Sequence, residues 1–106
     1  MLLYLDTKLA PNPRKVRIYV REKGLDIPIK ELDLYAGEHK TPEFLKKNPF
    51  AGVPILELDD GTVLVETLPI MEYLEELYPD PALIGTDAMS RAHVRMWERR
   101  CEIGVY

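Results

Sequence analysis

Nine prolines in 106 residues partition this chain more firmly than any other feature, because proline lacks the N–H that a helix interior or a central strand requires. Asn12-Pro13 and Thr41-Pro42 each place a capping side chain ahead of a proline at the first helical position, where the missing N–H is harmless and the fixed φ is favourable. The helix opened at Pro42 must stop by Lys47, about two turns on, because Pro49 disfavours helical geometry at Asn48. Pro54 opens an apolar run, a position at which a strand loses no ladder bond. Pro79-Asp80-Pro81 closes a further helical stretch.

The segments between these marks can be read from their periodicity. Leu2 to Leu5 is a short apolar run ending at Asp6, as a buried strand is. Val16, Tyr19 and Val20 recur at helical spacing among Arg14, Lys15, Arg17 and Arg21, and Gly24 stands where a left-handed stop is expected. Ile27 to Leu34 is strand-like, with one slip at Lys30-Glu31. Two strands around one three-turn helix make a βαβ unit with parallel strands. Pro54 to Leu58 and Thr62 to Val65 flank Asp59-Asp60-Gly61, which predicts an antiparallel hairpin. Thr67 can cap a helix with Ile70, Met71, Leu74, Leu77 and Tyr78 on its apolar face. The order is βαβ-α-ββα, an α/β architecture. Beyond it, Thr86 or Asp87 can cap a last helix with Ala88, Met89, Ala92, Met96 and Trp97 on one side and Arg91, Arg95, Arg99 and Arg100 opposite or flanking. That apolar face has no following element to cover it.

Composition excludes several classes. A formal charge of −4 and the lack of a basic stripe argue against nucleic acid as a partner. No apolar run approaches a membrane span, no signal-peptide pattern opens the chain, and the single cysteine, Cys101, permits no intrachain disulfide. A cytoplasmic location without membrane insertion is therefore expected, with Cys101 buried in the last helix. No His, Cys, Asp or Glu set has metal-ligand spacing, and neither a phosphate loop nor a G-x-S-x-G elbow is present. No metal is expected.

Four stretches carry a more specific signal: Ala10 to Arg17 at the first helix, Gly37 to Lys40, Asn48 to Ile55, and Glu66 to Glu75. Together with the element order, they resemble the thioredoxin-like N-terminal domain of the cytosolic glutathione S-transferase family. The resemblance implies a glutathione-binding domain over residues 1–78 and a linker over 79–86. Residues 87–106 would then be the first helix of an all-helical C-terminal domain, truncated here. It also implies glutathione as co-substrate, a small electrophile or peroxide as second substrate, a detoxification role and a homodimer.

The site residues follow from the same resemblance, beside what each residue type can do by itself. Val53-Pro54 matches the family's cis-proline, at which Val53 pairs its backbone with that of the bound peptide; a trans proline blunting an edge strand is the plainer alternative. Glu66-Thr67, at a strand-to-helix turn where backbone N–H groups favour an anion, matches the reader of the γ-glutamyl end: Thr67 Oγ for the carboxylate and Glu66 for the ammonium. The family more often has serine at position 67, and Thr67 is equally a plain helix cap. His39 and Lys40 match the polar residues that take the glycyl carboxylate, although a lone loop histidine is commonly only solvated.

The catalytic position departs from the family pattern. Family members place a serine or cysteine just ahead of the first helix, and alignment on Pro11, Arg14 and Val16 puts Ala10 there. Alanine cannot donate to a thiolate, and Tyr4 sits inside the first strand rather than at the position of the family's catalytic tyrosine. Asn12, Thr7 and the N–H groups of the first helix remain nearby. Asn12 is the candidate sulfur ligand, a role compatible with capping because its amide N–H₂ stays free. The resemblance thus implies a glutathione transferase, with activity weakened by Ala10; the other reading is a non-catalytic interaction module on the same fold, which Ala10 favours.

Overall fold

The computed structural model describes residues 1–6 and 10–104. Its elements are β1 (Leu2–Asp6), α1 (Pro11–Glu22), β2 (Ile29–Leu32), a 3₁₀ turn (Glu38–Lys40), α2 (Pro42–Lys47), β3 (Ile55–Glu57), β4 (Val63–Val65), α3 (Thr67–Leu77) and α4 (Ala88–Gly104). The sheet order is β2-β1-β3-β4. β1 pairs parallel with β2 and antiparallel with β3, and β3 and β4 form the expected hairpin.

Alternation along the strands separates two cores. Leu3, Leu5 and Leu56 turn to the face covered by α1 and α3, where Val16, Tyr19, Val20, Ile70, Met71 and Leu74 pack. Tyr4 and Ile55 turn the other way, onto Leu32 and Phe44 of α2. Tyr4 thus belongs to the sheet core, its ring edge-on to Phe44 at 6.0 Å. The chain has the thioredoxin-like architecture of a four-stranded mixed sheet between helices, followed by one more helix.

Several expectations are corrected. α1 begins two residues earlier than Asn12-Pro13 predicted: Pro11 is its first residue and Ala10 occupies the cap, with no side-chain capping bond from Ala10. The cap comes from β1 instead, because the Asp6 carboxylate accepts the Ala10 N–H at 2.7 Å. Asn12 is consequently inside the first turn. At α3 the cap position is Glu66 and Thr67 is the first helical residue. Thr41 does cap α2, accepting from Phe44 N at 3.3 Å. β2 is shorter than Ile27 to Leu34 because Asp33 leaves the ladder to organise a turn, its carboxylate accepting the Ala36 N–H.

α4 meets the rest of the molecule through Val94 and charged side chains rather than through its apolar face. Trp97 and Met89 are exposed, and so is Cys101, which the sequence placed in a core. The helix is capped by Asp87, whose carboxylate accepts the Ser90 N–H at 2.8 Å, while Ser90 Oγ accepts the N–H groups of Thr86 and Asp87. Gly85 makes this junction possible: its φ is +91° and an added Cβ would lie 2.7 Å from Arg91 N, so a side chain there is strained and blocked.

Candidate functional site

The ends of α1 and α3 and the loop before β3 open onto one cleft. Asn12, Asn48, Phe50, Gly52, Val53, Pro54, Val65, Glu66 and Thr67 line it. Its enclosed volume is about 80 Å³, small beside the roughly 300–1,000 Å³ of a typical small-molecule site, so an extended ligand would lie along it rather than inside it. The Val53–Pro54 peptide bond is cis, and Val53 stands ahead of the ladder, which begins at Ile55 paired with Tyr4 and Val65.

Asn48 holds the loop that carries Val53. Its side chain is buried, donates through Nδ2 to Gly52 O at 2.9 Å and accepts the Phe50 N–H at 3.1 Å. Ala51, between them, has φ +59°. From the sequence, Asn48 stood as a helix stop and as the start of one family-like stretch, and this role was missed. The signal was the amide four residues before Gly52, the spacing at which an Asn side chain can close a loop on backbone groups.

Glu66 adopts φ 74° and ψ 143°, a region ordinarily left to glycine, at a cost of about 1–3 kcal/mol. That geometry ends β4, starts α3 and leaves the Glu66 side chain exposed at the rim of the cleft. Thr67 follows, nearly fully buried. Its hydroxyl donates to Glu102 Oε2 at 3.4 Å.

Behind Thr67 lies a charge cluster the sequence did not reveal. Lys15 Nζ is 2.8 Å from Glu98 and 3.2 Å from Glu102, joining α1 to α4. Burial alone would lower the Lys15 ammonium, but its hydrogen bonds to Glu98 and Glu102 outweigh burial and hold it above the ordinary lysine value. Burial and the neighbouring Glu102 push the Glu98 carboxyl up, whereas its hydrogen bond with Glu98 and that with Lys15 hold Glu102 below the usual carboxylate range.

Of the residues singled out from sequence, Asn12, Val53, Pro54, Glu66 and Thr67 meet at this cleft. Lys40 and His39 stand on the 3₁₀ turn, outside that lining; Lys40 is exposed and His39 Nδ1 is buried without a protein partner among the described residues. Thr7 lies outside the described residues. Among the described residues no group of three or more His, Cys, Asp or Glu could hold a metal ion, and no helix is long and apolar enough to cross a membrane.

Residues 10–77 match the family described as glutathione S-transferase, N-terminal domain. The chain belongs to the glutathione S-transferase family. Within that family it is 40% identical over 105 residues to glutathione S-transferase 2 of Saccharomyces cerevisiae, covering 97% of this chain and 45% of that protein. It is 43% identical over 83 residues to a maleylacetoacetate isomerase of Pseudomonas aeruginosa, covering 76% of this chain and 39% of the relative. The crystal structure of a Sulfitobacter glutathione transferase homolog with bound glutathione superposes with a TM-score of 0.82 at 27% identity, over 95% of this chain and 48% of that one. The chain therefore spans less than half the length of the curated relatives it matches.

Proposed function

We propose that this chain binds glutathione in the cleft between α1, the Asn48–Pro54 loop and the start of α3, and presents the thiol to an electrophilic or peroxide substrate. The observation that carries this reading is the convergence of Asn12, Val53, Glu66 and Thr67, contributed by three separate elements, on one cleft. In this reading Val53 pairs its backbone with that of the tripeptide, and the start of α3 takes the γ-glutamyl carboxylate through main-chain N–H groups and the Thr67 hydroxyl. The hydroxyl must exchange Glu102 for the ligand to do so. Glu66, exposed at the rim, accepts the ammonium, and Asn12 faces the sulfur. His39 and Lys40 would take the glycyl carboxylate only from outside the present lining.

The Sulfitobacter homolog carries bound glutathione and the yeast and Pseudomonas relatives are glutathione-named or isomerase-named enzymes, which supports transferase over interaction module. We extend the reading to a glutathione-binding unit at 1–78, a linker at 79–86 and a helical unit opening at 87. It also includes a homodimer, a cytoplasmic setting and detoxification of small electrophiles, with no metal required. Amide chemical shifts followed during a glutathione titration test the placement. Asn12, Val53 and Thr67 should move together and saturate, whereas shifts confined elsewhere, or none, contradict it.

A further inference from the structure

We infer that Glu98 and Glu102 of α4 share one proton, and that the proton-bound pair, seated on Lys15, is a pH-sensitive latch fastening α4 to α1. The two residues stand at i and i+4 on α4, so their side chains fall on one face, where like charges repel. Both side chains are largely removed from solvent, Glu98 at 9% and Glu102 at 19% exposure. One ammonium serves them both: Lys15 Nζ lies 2.8 Å from Glu98 Oε1 and 3.2 Å from Glu102 Oε2.

The donors around the pair are unevenly shared. Among the described residues, Lys15 on α1, Thr67 on α3 and Arg99 on α4 face it, and Glu102 takes all three: Lys15 and the Thr67 hydroxyl at Oε2, and the half-exposed Arg99 at Oε1, 3.5 Å away. Glu98 has Lys15 alone, and its Oε2 is buried without a partner among the described residues. An ionised oxygen there is an acceptor stripped of water. Protonation makes it a donor, and the Glu102 carboxylate, hydrogen-bonded to Glu98, is its acceptor. The opposite displacements of the two carboxyls, Glu98 up and Glu102 down, are those of a pair holding one proton. A carboxyl raised on folding contributes stability that is complete below its unfolded value of 4.5 and is lost as pH rises through the folded value. The contribution of Glu102, lowered on folding, is present above 4.5 and lost as pH falls through its folded value. The latch is therefore tightest with one proton bound, and rising pH loosens it by leaving two carboxylates on one ammonium.

The test is a pH titration of the side-chain carboxyl carbons by NMR, each assigned through its own backbone, in the wild type, Glu98→Gln and Glu102→Gln, with urea midpoints measured at stepped pH. In the wild type Glu98 should titrate above 4.5 and Glu102 below it. In Glu102→Gln the Glu98 midpoint should shift down, because the neighbouring carboxylate that raises it is gone. Glutamine has the shape of the protonated acid and no acidic proton to lose. The urea midpoint of Glu98→Gln should therefore match the wild type near pH 4.5 and exceed it increasingly as pH rises. Glu98 titrating at or below 4.5 would overturn the inference, and so would a Glu98→Gln urea midpoint displaced equally at every pH. The wild-type titration decides the matter by itself should either variant fail to fold.

Discussion

The ammonium of Lys23 lies 2.8 Å from the Glu75 carboxylate, with none of the lysine side chain exposed to solvent. Lys23 also donates to the carbonyls of Tyr78 and, at 2.6 Å, Pro81. Glu75 accepts the Tyr19 hydroxyl and the N–H groups of Leu83 and Ile84, at 2.8 and 3.0 Å. The irregular stretch between α3 and α4 is thereby tied to α1 and α3, and Ile84 is set into the core. Such a pair contributes little beyond an apolar replacement, but removing one partner strands the other. Glu75→Gln should cost about 3 kcal/mol or more in chemical denaturation at neutral pH.

The same pair fixes the acid limb of stability. Burial alone would raise Glu75, but the hydrogen bonds from Lys23, Tyr19, Ile84 and Leu83 outweigh it and lower its pKa from 4.5 to about 2. A carboxylate depressed on folding stabilises the native state above its unfolded pKa and loses that contribution as protons bind. Stability should therefore fall as pH drops from 4.5 toward about 2. In Glu75→Gln the fall across that window should be shallower, measured by thermal melts at stepped pH.

Asn48 is expected to matter to ligand and fold together. Asn48→Ala leaves the Phe50 N–H and the Gly52 carbonyl without their partner, a loss of about 1–3 kcal/mol. It should also weaken glutathione binding by roughly tenfold, because about 1.4 kcal/mol of added disorder in the Val53 loop corresponds to that factor. Calorimetry of the variant and its urea midpoint would check both.

In the proposed function, Ala10 is expected to limit the chemistry rather than the binding. Ala10→Ser restores a hydroxyl donor ahead of α1, and each unit by which it lowers the thiol pKa raises the thiolate fraction about tenfold below that pKa. Conjugation of a chromogenic electrophile near neutral pH should rise accordingly, with glutathione affinity changed far less.

Much of the fold was legible because proline and glycine punctuate it locally. Pro42 after Thr41, the Asp59-Asp60-Gly61 turn and Gly24, at φ +70°, each act through their own backbone chemistry, and the structure has each where the pattern puts it. The cap of α1 was misplaced because two prolines compete for it, and the deciding partner, Asp6, comes from another strand. The same holds for the cluster of Lys15, Glu98 and Glu102: the helices that bring them together are separated by most of the sequence, and no periodicity encodes their contact. Cys101 was misread because the side of α4 that packs is set by Val94 and ion pairs, not by its most apolar stripe.

The central claim is tested most directly by calorimetric titration of the chain with glutathione, wild type beside Glu66→Ala. The account predicts saturable one-site binding by the wild type, weakened at least tenfold when the rim carboxylate that takes the ligand ammonium is removed, as expected for a charge-assisted hydrogen bond worth about 1.5–3 kcal/mol. Wild-type binding that Glu66→Ala leaves unchanged, or no binding heat at all, would contradict it.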